Sequence, residues 1–140
     1  MVQRVDVTVR SAAAPSEVYA YVRDGATWPS WTSLESFELE KGPEDVGGVR
    51  VFRRKNVVSR EEIVELVPDK RLSYVLLSGL PLKGYRGFVD LEPDGGGTRI
   101  HWYSSFEPKV PGTGWLYRIA LQKIIQSFAT GLAAVAEGAA

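Results

Sequence analysis

The chain has 140 residues, seventeen basic and seventeen acidic, with one histidine, four tryptophans and no cysteine. That length suits a single domain, read here as residues 1–140, with interior enough for a core without covalent staples. The cysteine count excludes disulfides, thiolate nucleophiles and Cys-ligated metal, and the balanced charge removes the net field that would draw a chain to nucleic acid or an anionic membrane.

No uninterrupted apolar run approaches the roughly 20 residues of a membrane span. The opening MVQRVDVTVR is no signal peptide, and the expectation is a soluble cytoplasmic protein. In that opening, Val5, Val7 and Val9 alternate with Arg4, Asp6, Thr8 and Arg10, which predicts a half-buried strand. APSEVYAYVRDG then predicts a short helix: Pro15 suits the first helical position, Glu17 favours the positive N-terminus, and Gly25 can close the end. Ala14 makes a poor N-cap, so this helix relies on packing. WPSWTSLESFELE gives a turn at Pro29, a second short helix, and a strand through Phe37 and Leu39.

From residue 47 the pattern is strand after strand. VRVFRR turns at Lys55-Asn56 into VVSREEIVELV, and Pro68-Asp69 turns that into RLSYVLLSG. YRGFVDLE and TRIHWYSSF flank Asp94-Gly95-Gly96-Gly97. After Pro108 and Pro111 the period becomes helical: Leu121, Ile125, Phe128, Leu132 and Val135 mark one face and Arg118, Gln122 and Gln126 the wet one. Trp115, Ile119 and Ile124 broaden the apolar arc. A helix that apolar must lie on the sheet, so the fold class is α+β: about seven antiparallel strands curved around a long C-terminal helix.

Counting back from the 94–97 turn pairs Leu91 with Ile100, Val89 with Trp102, Gly87 with Ser104 and Tyr85 with Phe106, all on one inward face. His101 falls on the other face, opposite Asp90, as a solvated pair rather than part of a Ser-His-Asp triad. Phe88 and Tyr103 share that outer face, where they serve either as ordinary surface or as a dimer contact; monomer and homodimer both stay open. One histidine and no cysteine cannot build a zinc site, and no DxDxDG loop offers calcium. No cofactor is implied. FRRK lacks interleaved aromatics for base stacking, so nucleic acid is not the expected partner.

AAAPSEVYAYVRDGATWPSW, SREEIVELVPDKRLSY, GYRGFVDLEPDGGGTRIHW and the closing helix together resemble the START-like, or helix-grip, superfamily, in particular its polyketide cyclase/dehydrase and lipid-transport (SRPBCC) group. The resemblance spans essentially the whole chain. It implies a small hydrophobic partner, such as a lipid, isoprenoid, steroid or polyketide, held between sheet and helix. It further implies that Phe52, Arg54, Ser59, Glu61, Val75, Leu77, Tyr85 and Val89 look inward, with Ala120, Ile124 and Phe128 from the helix. Trp102, Ser104 and Phe106 join these as ligand-binding candidates from the strand count.

The two routes disagree at one place. Counting from Pro68-Asp69 puts Tyr74 and Leu76, not Val75 and Leu77, on the face of Glu61, and the two agree only if a bulge shifts the register. An Arg54–Glu61 pair is either a polar anchor inside the cavity or a feature of its rim. Two alternatives to a pure binder remain: a cyclase or dehydratase using Glu61 and Tyr85, and a protein-interaction module without ligand.

Overall fold

A computed structural model describes residues 1–138 of the chain. Strands β1 (Gln3–Ser11), β2 (Ser36–Lys41), β3 (Val49–Arg54), β4 (Val57–Val67), β5 (Arg71–Ser78), β6 (Leu82–Asp94) and β7 (Gly97–Pro108) form one antiparallel sheet ordered β1-β7-β6-β5-β4-β3-β2. Helix α1 (Pro15–Arg23), a 3-10 turn (Gly25–Thr27) and helix α2 (Trp28–Trp31) follow β1, and helix α3 (Gly114–Ala136) closes the chain. The α+β class and the long closing helix are as the sequence predicts.

Local chemistry explains most boundaries. Helix α1 has Pro15 in its first turn and an uncapped Ala14, and it is held by burying Val18, Tyr19 and Val22. It does not close on glycine: Asp24 turns extended, and its carboxylate accepts the Ala26 N–H to start the next turn. Gly25 is needed for another reason, since a side chain there would overlap the Phe37 ring.

In β6 and β7 the pairs Gly87–Ser104, Val89–Trp102 and Leu91–Ile100 match the count. The ladder then slips between Lys83 and Arg86, around Gly84 at φ +62°, a bulge that bends the strand. Tyr85 nonetheless stacks on Phe106, ring centroids 6.0 Å apart. Bulges also break the β4–β5 ladder, between Arg60 and Glu61 and between Ile63 and Glu65.

Helix α3 runs alongside β1 and buries Leu121, Ile125, Phe128, Leu132 and Val135 against the sheet. It has the length and composition of a membrane-crossing helix, and its packed face accounts for that apolarity. The polar side expected to be simply wet has a task. The Gln122 amide accepts from the Asp6 N–H at 3.3 Å and donates to the Asp6 carbonyl at 2.9 Å, which covers part of the open edge of β1. Trp115 does not enter the core. It stands 56% exposed at the start of α3.

Candidate functional site

Between the inner sheet face and α3 lies a cavity of about 140 Å³. Its floor is aromatic: Trp28 from α2, Phe52 from β3, Tyr74 from β5, Tyr85 from β6 and Trp102 from β7, faced by Phe128 from α3. Trp28 stacks on Phe52 at 4.8 Å and meets Trp102 edge-on at 5.6 Å, so these walls are locked by one another. Leu121, Ile124 and Ile125 of α3, with Leu34, Leu76 and Leu80, complete an apolar lining.

Of the residues expected to face a ligand, Phe52, Arg54, Ser59, Glu61, Tyr85, Trp102, Ile124 and Phe128 line this space. Leu77 does not: it is 42% exposed on the outer face, because strict alternation along β5 turns Tyr74 and Leu76 inward. Val75 faces outward with it. Val89, Ser104 and Phe106 are buried but sit in the core beside the cavity rather than on its wall. Trp28, Leu34, Val57, Tyr74, Leu76, Leu80, Leu121 and Ile125 are lining residues beyond the expected ligand set. For Tyr74 and Leu76 the turn count at Pro68-Asp69 already carries the signal.

The small residues opposite one another at 87 and 104 do not leave a void. A Cβ at Gly87 would overlap the Tyr74 ring, so the missing side chain is replaced by a tyrosine from the neighbouring strand. Tyr74 in turn accepts the Trp102 indole N–H at 3.1 Å. Gly87→Ala should therefore cost about 1–3 kcal/mol by overpacking. Combined with Tyr74→Leu it should cost clearly less than the sum of the two single losses, as urea denaturation would measure; additive losses would mean that Tyr74 does not occupy the glycine's space.

The polar groups are few and concentrated. Glu61 on β4 lines the cavity near Tyr74 and Tyr85 and pairs across the ladder with Arg50, and Arg54 pairs with Val57, both as counting from the Lys55-Asn56 turn gives. Glu61 is surrounded by protein, and its residual accessibility is to the cavity. Burial pushes its carboxyl up to about 7, against the opposing pull of Arg50. Burial likewise raises Tyr74 and Tyr85, and the Ser104 and Tyr74 hydroxyls offset part of the rise at Tyr85.

Arg50 is a buried cation that the sequence pattern does not single out. Its guanidinium lies 4.6 Å over the Trp28 ring and 5.1 Å over Phe52. One nitrogen donates to the Val22 carbonyl at 3.4 Å, and Nε stands 3.6 Å from the Glu44 carboxylate without a hydrogen bond. The chemistry available is thus a carboxyl poised to give or accept a proton, two neutral phenols, and a fixed positive charge behind them.

His101 faces Asp90 across the ladder, yet its Nε2 lies 2.9 Å from Asp6 on β1. Asp90 instead accepts from Arg71 at 2.7 Å and from Tyr103 at 2.7 Å on the outer face, which removes both residues from the site.

A sequence profile of the family described as polyketide cyclase / dehydrase and lipid transport matches residues 2–137. Among solved structures, the chain is similar to the crystal structure of Ara h 8.0201 at 19% identity and a TM-score of 0.79, covering 99% of each chain. It is also similar to TTHA0849 from Thermus thermophilus, at 20% identity, a TM-score of 0.76 and 99% of each chain. The XoxI protein from Bacillus cereus aligns over 94% of each chain at 16% identity and a TM-score of 0.79. At these identities the likeness is one of fold. A search of curated protein sequences returned no match.

Proposed function

The chain belongs to the polyketide cyclase / dehydrase and lipid transport family, a START-like group with the helix-grip fold, and on that premise we propose that residues 1–140 act as one domain binding a small hydrophobic molecule between sheet and α3. The observation that carries this reading is the aromatic-walled cavity with one protonatable carboxyl at its end.

Size narrows the ligand. A cavity of about 150 Å³ accommodates benzene, and ligand pockets commonly run to about 300–1,000 Å³. The 140 Å³ here therefore favours one ring bearing an oxygen, with any further chain leaving through the mouth beside Arg54, Val57 and Leu80. A steroid or two-chain lipid would need the walls to part. Apolar burial at about 25 cal/mol per Å² would supply most of the affinity. Glu61, Tyr74 and Tyr85 would fix the oxygen, since a protonated carboxyl donates and an ionised one accepts.

Calorimetric titration with 4-ethylphenol and with ethylbenzene tests this. We expect both to bind, the phenol about tenfold tighter, the preference to fall in Glu61→Gln, and both affinities to vanish in Ile124→Trp, which fills the cavity. Binding that Ile124→Trp leaves intact would place the ligand elsewhere.

A second reading rests on Glu61 itself. A carboxyl near neutrality beside two phenols suits proton transfer with stabilisation of a developing oxyanion, the chemistry of a cyclisation or dehydration. It would require turnover that Glu61→Gln abolishes while affinity persists.

A further inference from the structure

We propose that the open end of the molecule docks on an anionic lipid bilayer, through an apolar tip of Val110, Trp115, Leu116 and Ile119 set among unpaired cations. This goes beyond the ligand reading and does not require the cavity to be occupied.

The connections that meet at this end are β3–β4, β5–β6, β7–α3 and α2–β2. The Lys109 N–H donates to the Pro81 carbonyl at 3.0 Å, the Glu35 carboxylate accepts the Lys55 N–H at 2.9 Å, and Gly114 packs against Gln3 at the start of β1. Nearly all the exposed large apolar side chains among the described residues collect here; only Leu39 and Val46 lie elsewhere. On α3 the exposed set is Trp115, Leu116 and Ile119, with Val110 just before the helix; Val57 at the cavity, and Val58 and Leu77 on the outer face, lie at the same end of β4 and β5. Gathering apolar side chains at one pole marks a surface meant for contact.

Charge separates the same way. Residues 1–4, 33–36, 53–58, 77–83 and 105–119 hold seven basic side chains (Arg4, Arg53, Arg54, Lys55, Lys83, Lys109, Arg118) and two acidic ones (Glu35, Glu107). This end therefore carries about five positive charges, and the remainder, with ten basic and fifteen acidic residues, the five negative ones. The zero net charge hides a strong dipole. None of the seven cations forms an ion pair among the described residues, whereas six of the ten basic residues elsewhere (Arg10, Arg50, Arg60, Arg71, Arg86 and Arg99) do.

An anionic bilayer satisfies both halves of this surface: lipid tails take the apolar tip and headgroups take the cations. A second copy docking through this same face would bring like charges together, and one docking head to tail would show no dependence on lipid. A nucleic acid would match the charge and leave Trp115, Leu116 and Ile119 without an apolar partner. Arg54, Val57 and Leu80, which line the cavity, come from the β3–β4 and β5–β6 connections of this end, so a ligand leaving past them would enter the bilayer without crossing water.

The test is partitioning of the full chain onto phosphatidylcholine vesicles with and without phosphatidylglycerol, followed by co-sedimentation and tryptophan emission. Trp28, Trp31 and Trp102 are buried, so a blue shift on binding reports Trp115. We expect binding to the phosphatidylglycerol vesicles that weakens with salt and falls about tenfold in Trp115→Glu. Each cation removed by Lys83→Ser or Lys109→Ser should cost roughly fivefold, with Leu39→Glu as the unaffected control. No partitioning, equal binding to pure phosphatidylcholine, or the same response to a DNA duplex would each overturn the proposal. Titration with 4-ethylphenol on the same samples keeps that outcome separate from any failure of the cavity reading.

Discussion

Replacing Arg50 with Ala should destabilise the protein by about 2–5 kcal/mol near neutral pH, the range for truncating a large buried side chain. Three losses coincide at that position. Glu61 and Glu44 lose their nearest buried cation, Trp28 and Phe52 lose the guanidinium stacked over them, and a gap opens beside the cavity floor. Arg50→Met, which keeps volume and discards charge, should recover part of the loss. Arg50→Lys should recover little, because an ammonium cannot lie flat on Trp28. Urea denaturation at fixed pH gives these differences as shifts in midpoint at constant slope. A loss below about 1 kcal/mol for Arg50→Ala would mean that water already compensates the charge.

The stability of the protein should also fall with rising pH in a way that Glu61→Gln does not share. In the folded chain Glu61 titrates near 7, above its ordinary 4.5. Between those values the folded state holds a proton that the unfolded state has released, so stability drops as pH increases. The contribution is complete below about 4.5 and gone once pH has risen through about 7. A shift of that size corresponds to roughly 3 kcal/mol. From about pH 4.5 to pH 8 the natural chain should therefore lose roughly 3 kcal/mol more than the Gln variant, the other carboxylates cancelling in the comparison. Parallel curves would show Glu61 to be in contact with bulk water.

These two residues also mark how far the sequence can be read. Alternation at Val5, Val7 and Val9, the turns at Lys55-Asn56 and Gly95-Gly96, and the three-four spacing of Leu121, Ile125, Phe128 and Leu132 carry the fold, because each is a local pattern with one period. Pairing Arg50 with Glu61 follows from the same count. That Arg50 is swallowed between two aromatic rings does not follow, since α2 brings Trp28 there from a distant part of the chain. The same holds at Gly87: no property of its own strand announces that Tyr74 will fill its space. Likeness to other pockets points Leu77 inward, and the pleat of β5 overrules that likeness. Trp115 reads as core in sequence because a helical wheel is blind to where the sheet ends.

The sharpest test is a crystal structure of the protein equilibrated with 4-ethylphenol. Electron density for one ring among Trp28, Phe52, Trp102 and Phe128, with its hydroxyl within hydrogen-bonding distance of Glu61, Tyr74 or Tyr85, is the predicted result. A closed space filled by the chain's own side chains, or a probe found only on the surface, would contradict the account.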